Sequence, residues 1–167
     1  MKKAIVTGGS GYLGNVLIKK LLSLSWSVVN IDINSSDIKN PNYKYFNCDI
    51  RDYNKLDKNL PEANVIFHCV AQVPVLKDKK KFWSVNSEGT KNICAVAKKK
   101  KINKLIYVSS SAVFGNPKSN PVNELTIPEP AEDYGKAKLN GELICKKYAS
   151  EKLKIIIIRP RTILGHD

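Results

Sequence analysis

Short apolar runs punctuate the chain at residues 4–6, 27–31, 43–47, 64–68, 104–109 and 154–158. Between several of them, apolar residues return on one helical face only. Leu13, Val16, Leu17 and Leu21 follow the first run with Lys19 and Lys20 turned outward, a helix is predicted over about residues 82–99, and another from the segment at Tyr134 to about residue 150. A proline-rich loop covers residues 116–130. Strands separated by helices of this length predict an α/β fold, a doubly wound parallel sheet with helices on both faces. In such sheets ligands bind at the carboxyl ends of the strands, and Gly8, Asp32, Asp49, Ala71 and Ser110 all fall there.

The first run leads directly into glycines. Gly9, Gly11 and Gly14 satisfy G-x-G-x-x-G, and Gly8, Gly11 and Gly14 satisfy the variant T-G-x-x-G-x-x-G that opens at Thr7. Glycines at these places allow a tight turn and close backbone approach, so a pyrophosphate can rest on the amino end of the helix that opens at Tyr12 and Leu13. The second run ends in Asp32, whose carboxylate can hold two ribose hydroxyls and would repel the extra phosphate of NADP. The residues that follow, Ile33, Asn34, Ser35 and Ser36, offer no arginine to receive that phosphate, so NAD is the expected cofactor. After the third run, Asp49 can accept from an adenine amino group while Ile50 packs on the ring. The exit of the fourth run, with Val70 and Ala71, is small enough to lie under a dinucleotide.

Tyr134 and Lys138 stand four residues apart, which on a helix puts both on one face, and a serine run, Ser109 to Ser111, closes the fifth strand. A tyrosine acting as a base near neutral pH needs its pKa lowered by about 3 units, roughly 4 kcal/mol of help for the phenolate. A lysine one turn away can supply much of it, and a serine hydroxyl can bind the substrate oxygen whose proton leaves.

Taken together, TGGSGYLG at residues 7–14, Asp32, the Asp49-Ile50 pair, HCVAQ at 68–72, VNSEGT at 85–90, YVSSSAVFG at 107–115, YGKAK at 134–138 and Arg159-Pro160 followed by Gly165 resemble the amino-terminal half of an extended short-chain dehydrogenase/reductase of the NAD-dependent epimerase/dehydratase type. The resemblance implies a Rossmann-type NAD-binding domain over residues 1–167. It also implies that Tyr134 is the catalytic acid/base and that Lys138 lowers its pKa and binds the nicotinamide ribose. Ser110, five before Gly115, matches the family's catalytic Ser/Thr. Asn86 matches an asparagine near the nicotinamide end, and Pro160 and Arg161 match the segment that passes the nicotinamide.

Within the family a 4,6-dehydratase usually carries an Asp-Glu pair directly after its catalytic Ser/Thr. Here Ser111 and Ala112 stand there, which disfavours dehydration. A nucleotide-sugar epimerase, in which Tyr134 takes a proton from a sugar hydroxyl while a hydride passes to NAD and returns to the other face, is compatible with these residues. A simple sugar or alcohol dehydrogenase would use the same ones, and a non-catalytic NAD-binding module is the competing class.

Composition adds three expectations. No apolar run approaches the 18 or more residues of a membrane helix and Met-Lys-Lys leads straight into the first strand, so a soluble, cytoplasmic protein without a membrane partner is expected. Cys48, Cys69, Cys94 and Cys145 are widely spaced without C-x-x-C and read as buried thiols, while His68 and His166 lack companions at metal-ligand spacing. The net charge of +13 comes from lysine runs such as 77–81 and 98–101, which lack interleaved aromatics and read as solvated faces rather than a nucleic-acid site. The family normally adds a substrate domain after the Arg-Pro segment. The apolar strand at 154–158 is therefore expected to need cover, from a further segment, a homodimer mate or another chain.

Overall fold

The computed structural model describes residues 1–72 and 79–165. Six strands, β1 (Lys3–Thr7), β2 (Ser27–Asp32), β3 (Tyr43–Asn47), β4 (Val65–His68), β5 (Lys104–Val108) and β6 (Lys154–Ile158), form one sheet in the order β3-β2-β1-β4-β5-β6. All five pairings are parallel. From β1 the chain winds outward to β3 and then returns to place β4 on the other side. The order therefore reverses between β1 and β4, and a crevice opens at their carboxyl ends, the place where a Rossmann-type sheet receives a dinucleotide. Thr7 lies in register with both Ile31 and His68, so the ends of β2, β1 and β4 reach that crevice together.

The helices are α1 (Tyr12–Ser23), α2 (Tyr53–Asn59), α3 (Lys79–Trp83), α4 (Thr90–Lys99) and α5 (Asp133–Tyr148). Alternation along β1 sends Ile5 into a core packed with Leu56 of α2, Ile93 and Val96 of α4 and Cys145 of α5. Its neighbours Ala4 and Val6 face the opposite side, against Ile18 and Leu21 of α1. The same alternation in β6 half-buries Ile155 and Ile157 and leaves Ile156 and Ile158 exposed at the sheet edge.

Two departures from the expected elements have identifiable causes. Helix α2 is short and mostly polar, so no apolar stripe announces it. Its start is set by Asp52, whose side chain accepts from the Lys55 amide, and Leu56 is its buried residue. The single helix expected over 82–99 is three pieces, α3, a π-helical turn at Ser84–Gly89 and α4. That turn buries Val85, Asn86, Ser87 and Gly89, and a Cβ at 89 would push against the end of the Ile50 side chain.

Cys48, Cys94 and Cys145 are buried and Cys69 half-buried, all as free thiols, with the Cys94 and Cys145 sulfurs 3.9 Å apart. Among the described residues no helix is long and apolar enough to cross a membrane, and no group of three metal-ligating side chains is gathered. Part of the lysine run at 77–81 and all of His166 lie outside the described residues.

Candidate active site

The end of β1 turns through Gly8 at φ +72°, a left-handed conformation in which any side chain is strained. A Cβ there would also lie 2.8 Å from the Val70 amide nitrogen. At Gly14, in the first turn of α1, a Cβ would overlap the Gly8 carbonyl oxygen and stand 2.6 Å from the Gly9 Cα. Strand end, loop and helix are therefore packed backbone on backbone. Gly11 caps α1 without a side-chain hydrogen bond, and the first turn carries no acidic residue, which leaves the amides around Tyr12 and Leu13 to a ligand.

Asp32 closes β2 opposite this loop. One carboxylate oxygen accepts from the Ser10 amide and the other from the Asn34 amide, both at 3.0 Å, so the group is aimed and each oxygen keeps a free lone pair. Ser10 is held in turn by Asn30, which also donates to the Tyr43 hydroxyl. Gly8, Gly11, Asp32, Asp49, Ile50, Val70 and Ala71 line one cleft of about 300 Å³. A glycine cradle, a helix terminus without acidic residues and an aimed carboxylate along one cleft fit a dinucleotide.

Asp49 and Asn86 have partners that their sequence positions do not announce. The Asp49 carboxylate accepts from Arg51 Nε at 3.0 Å and Nη2 at 2.5 Å, and Arg51 extends to the Ser84 hydroxyl. Asn86, buried in the π-helical turn, accepts from the Gln72 amide and donates to the Gln72 carbonyl, both at 3.1 Å. Its side chain thus holds the β4 exit, the segment that carries Val70 and Ala71.

Beneath the loop, His68 is fully buried between two threonines, with Nδ1 2.6 Å from Thr7 Oγ1 and Nε2 3.0 Å from Thr90 Oγ1. Burial, and then the Lys138 charge, push its pKa down to about 3. The folded protein holds this ring neutral while the unfolded chain takes a proton near pH 6.5, so its contribution to stability is complete above that pH and is lost as pH falls towards 3. Between pH 6.5 and 4.5 the wild type is expected to lose about 1.4 kcal/mol per pH unit more than a His68→Gln variant, read from urea denaturation at several pH values. Parallel pH curves for the two proteins would refute the assignment.

On the other side of the crevice, Ser110 leaves β5 and caps a 3-10 turn at Ser111–Phe114, its Oγ accepting from the Ala112 amide at 3.1 Å. Tyr134 sits in the first turn of α5, half-buried. Burial raises its pKa and a hydrogen bond with Ser110 draws it back. Lys138, one turn on, points inward. Its ammonium donates to the Val108 carbonyl at 2.5 Å and lies 4.4 Å from the centre of the Tyr107 ring, and burial lowers its pKa to about 8.

Sequence reasoning did not single out Glu142. It is fully buried on α5, and its carboxylate accepts from Ser109 Oγ at 2.6 Å and from Arg159 Nε and Nη2 at 2.9 and 2.7 Å. Burial alone would raise its pKa; the bonds from Arg159 and Ser109 outweigh it and hold the group below the usual carboxylate value. An available signal was its place four residues after Lys138, which puts an acid on a stripe that must be buried. The Pro160 carbonyl accepts from the Ser111 amide at 2.9 Å, and a second cleft of about 930 Å³ runs from Ser111 and Phe114 past Arg159 and Arg161 to Lys146.

Comparison with known proteins shows the family. Residues 4–167 match the NAD dependent epimerase/dehydratase family. An uncharacterized protein, y4nG, of Sinorhizobium fredii is 48% identical over 99% of this chain and 42% of its own length. A putative UDP-glucose 4-epimerase of Methanocaldococcus jannaschii is 33% identical over 86% of this chain and 50% of its own. The crystal structure of UDP-glucuronic acid 4-epimerase from Bacillus cereus in complex with NAD superposes with a TM-score of 0.84 at 29% identity, covering 98% of this chain and 57% of the other. The chain thus spans about half the length of the relatives it matches. With the match running over nearly all of its residues, this chain belongs to the NAD-dependent epimerase/dehydratase family, whose cofactor is NAD.

Proposed function

We propose that this chain is the cofactor-binding and proton-transfer part of an NAD-dependent enzyme that epimerises a nucleotide sugar, similar to a UDP-glucose 4-epimerase. The observation that carries the reading is that Ser110, Tyr134 and Lys138 gather at the carboxyl end of β5, with the Lys138 ammonium on the Val108 carbonyl, at the same end of the sheet as the glycine loop and Asp32.

In this reading Gly8, Gly11 and Gly14, with the amides of Tyr12 and Leu13, hold the pyrophosphate, and Asp32 holds the adenosine ribose. Ile50 packs on adenine, and Asp49, braced by Arg51, faces its amino group. Val70 and Ala71 form the floor, which Asn86 steadies through Gln72. Pro160 borders the nicotinamide end. NAD, when bound, supplies a hydride acceptor that can return the hydride. Ser110 binds the substrate oxygen and Tyr134 takes its proton and gives it back. Lys138, whose burial leaves its pKa at about 8, can hold or release a proton near neutrality one helical turn from the phenol. Ser111 and Ala112 offer no acid to protonate a leaving hydroxyl, which favours epimerisation over dehydration.

The first test is calorimetric titration of the chain with NAD and NADP. NAD is expected to bind about tenfold tighter, roughly 1.4 kcal/mol, and Asp32→Ala is expected to erase that preference. Equal affinity for both in the wild type, or binding of neither, would remove the assignment of the cleft. Incubation with NAD and a UDP-hexose then separates the chemistries: interconversion of epimers without net NADH supports the epimerase, and one-way accumulation of NADH supports a dehydrogenase.

A further inference from the structure

We propose that Glu142 and Arg159 form a positioning clamp that fixes the segment carrying Ser110 relative to α5, the helix carrying Tyr134, an inference that rests on the reading of those two residues as the proton-transfer pair. Tyr134, Lys138 and Glu142 follow one another at four-residue intervals on α5 and so share one stripe of the helix. The first two face the crevice end of β5; Glu142 reaches the strand end itself. Its carboxylate takes the Ser109 hydroxyl and two nitrogens of Arg159, a paired, charge-assisted arrangement whose direction is set by the planar guanidinium.

Ser110 is gripped from both sides as a result. On one side Ser109 is bound to Glu142 through its side chain and to the Ile158 carbonyl through its amide, at 2.7 Å. On the other, the Ser111 amide donates to the carbonyl of Pro160, the residue next to Arg159. Arg159 also lies 4.9 Å from the centre of the Phe114 ring, and Phe114 closes the turn that Ser110 caps. One ion pair therefore ties together the helix that carries Tyr134, the end of the strand that carries Ser110, the turn after it and the segment after β6. Buried ion pairs add little net stability compared with apolar side chains of the same volume, and what this one supplies is direction.

The test is a titration of the Tyr134 phenol in the whole chain by tyrosine ring NMR, assigned with Tyr134→Phe. Burial raises the pKa of the neighbouring Tyr107 and keeps it out of the titrated range. Ser110→Ala is expected to raise the midpoint by roughly half a unit to one unit, since the phenolate loses its hydrogen bond. Glu142→Gln is expected to move it in the same direction, and the double variant no further than Ser110→Ala alone. A Glu142→Gln midpoint equal to wild type, or a shift that adds in full to that of Ser110→Ala, would overturn the clamp. Arg159→Lys, which keeps a cation but loses the paired bonds, is expected to give an intermediate shift, and it decides the matter should Glu142→Gln fail to melt cooperatively. The functional reading fails separately: Ser110→Ala with undiminished hydride transfer would remove the catalytic pair and leave the titration result as it stands.

Discussion

Gly14→Ala is expected to weaken NAD binding by about 100-fold or more, roughly 2.7 kcal/mol, in a chain that still contains its sheet. Intrinsic preference favours the substitution, because position 14 lies inside α1 and alanine is better than glycine in a helix by about 1 kcal/mol. Packing decides the outcome. The new methyl would overlap the Gly8 carbonyl oxygen and approach the Gly9 Cα at 2.6 Å and the Gly8 carbonyl carbon at 2.9 Å. All three are backbone atoms, so no side chain can swing aside; the loop itself must move away from the helix, and the cradle for the pyrophosphate moves with it. Gly11→Ala is the matching control, since its Cβ would meet only the Gly8 oxygen, at 3.4 Å. The control is expected to leave the melting temperature unchanged. Calorimetric affinity for NAD within threefold of wild type in Gly14→Ala would show that the loop does not hold the cofactor.

Arg159→Ala is expected to cost about 3–5 kcal/mol of folding stability, because it strands the Glu142 carboxylate as an unpaired charge in a fully buried place. The reverse truncation is milder: the Arg159 side chain keeps 22% of its surface exposed, so in Glu142→Met the guanidinium can turn to water. The pH dependence gives an independent sign. In the wild type the Glu142 pKa is lowered, so its stabilisation is complete above the ordinary carboxylate value and is lost as pH falls through the folded value. With Arg159 removed, burial is opposed only by the Ser109 bond and Lys146, and the pKa of Glu142 is expected to rise. The variant then regains stability as its carboxylate protonates on the way down to about pH 4.3, and the wild type loses its own stabilisation below that, so the gap between the two is expected to begin narrowing above about pH 4.3 and to go on narrowing below it. Urea denaturation at neutral and acid pH measures both quantities; a gap that stays constant would mean that Glu142 carries no buried charge.

The sheet was legible because its evidence is local and repetitive. Six apolar runs gave six strands with boundaries within two residues, and the helices legible after β1, β4 and β5 point to a parallel sheet. Helix α2 was not legible because it buries little and rests on one side-chain cap at Asp52. The π-helical turn was hidden for a different reason. An extra residue in a helical turn leaves composition unchanged, and its cause is tertiary, the approach of Gly89 to Ile50 and of Asn86 to Gln72.

For the candidate site, spacing indicated which residues could lie near one another but not which way their side chains turn. Gly8, Gly11, Asp32, Asp49, Ile50, Val70 and Ala71 do share a cleft. Four-residue spacing put Lys138 on the face of Tyr134, yet its ammonium lies under the end of β5, because the Val108 carbonyl and the Tyr107 ring offer it partners inside. Partners distant in sequence, Arg159 for Glu142 and Thr7 and Thr90 for His68, exist only once the sheet has brought them together.

The pairing of β1 with β4 sets the order in which all this can form. Ala4 sits beside Val65, and Thr7 bonds His68 across 61 positions of chain. The glycine loop leaves the first strand while its neighbour Val70 arrives only with the fourth, so the crevice does not exist in any early, locally collapsed stage of folding. Closing so long a loop is slow, and its entropic cost falls before any contact in the crevice offsets it. A ligand of that crevice therefore meets nothing to hold until the central sheet is complete, and its effect falls on the rate at which the finished protein opens rather than on the rate at which it is made.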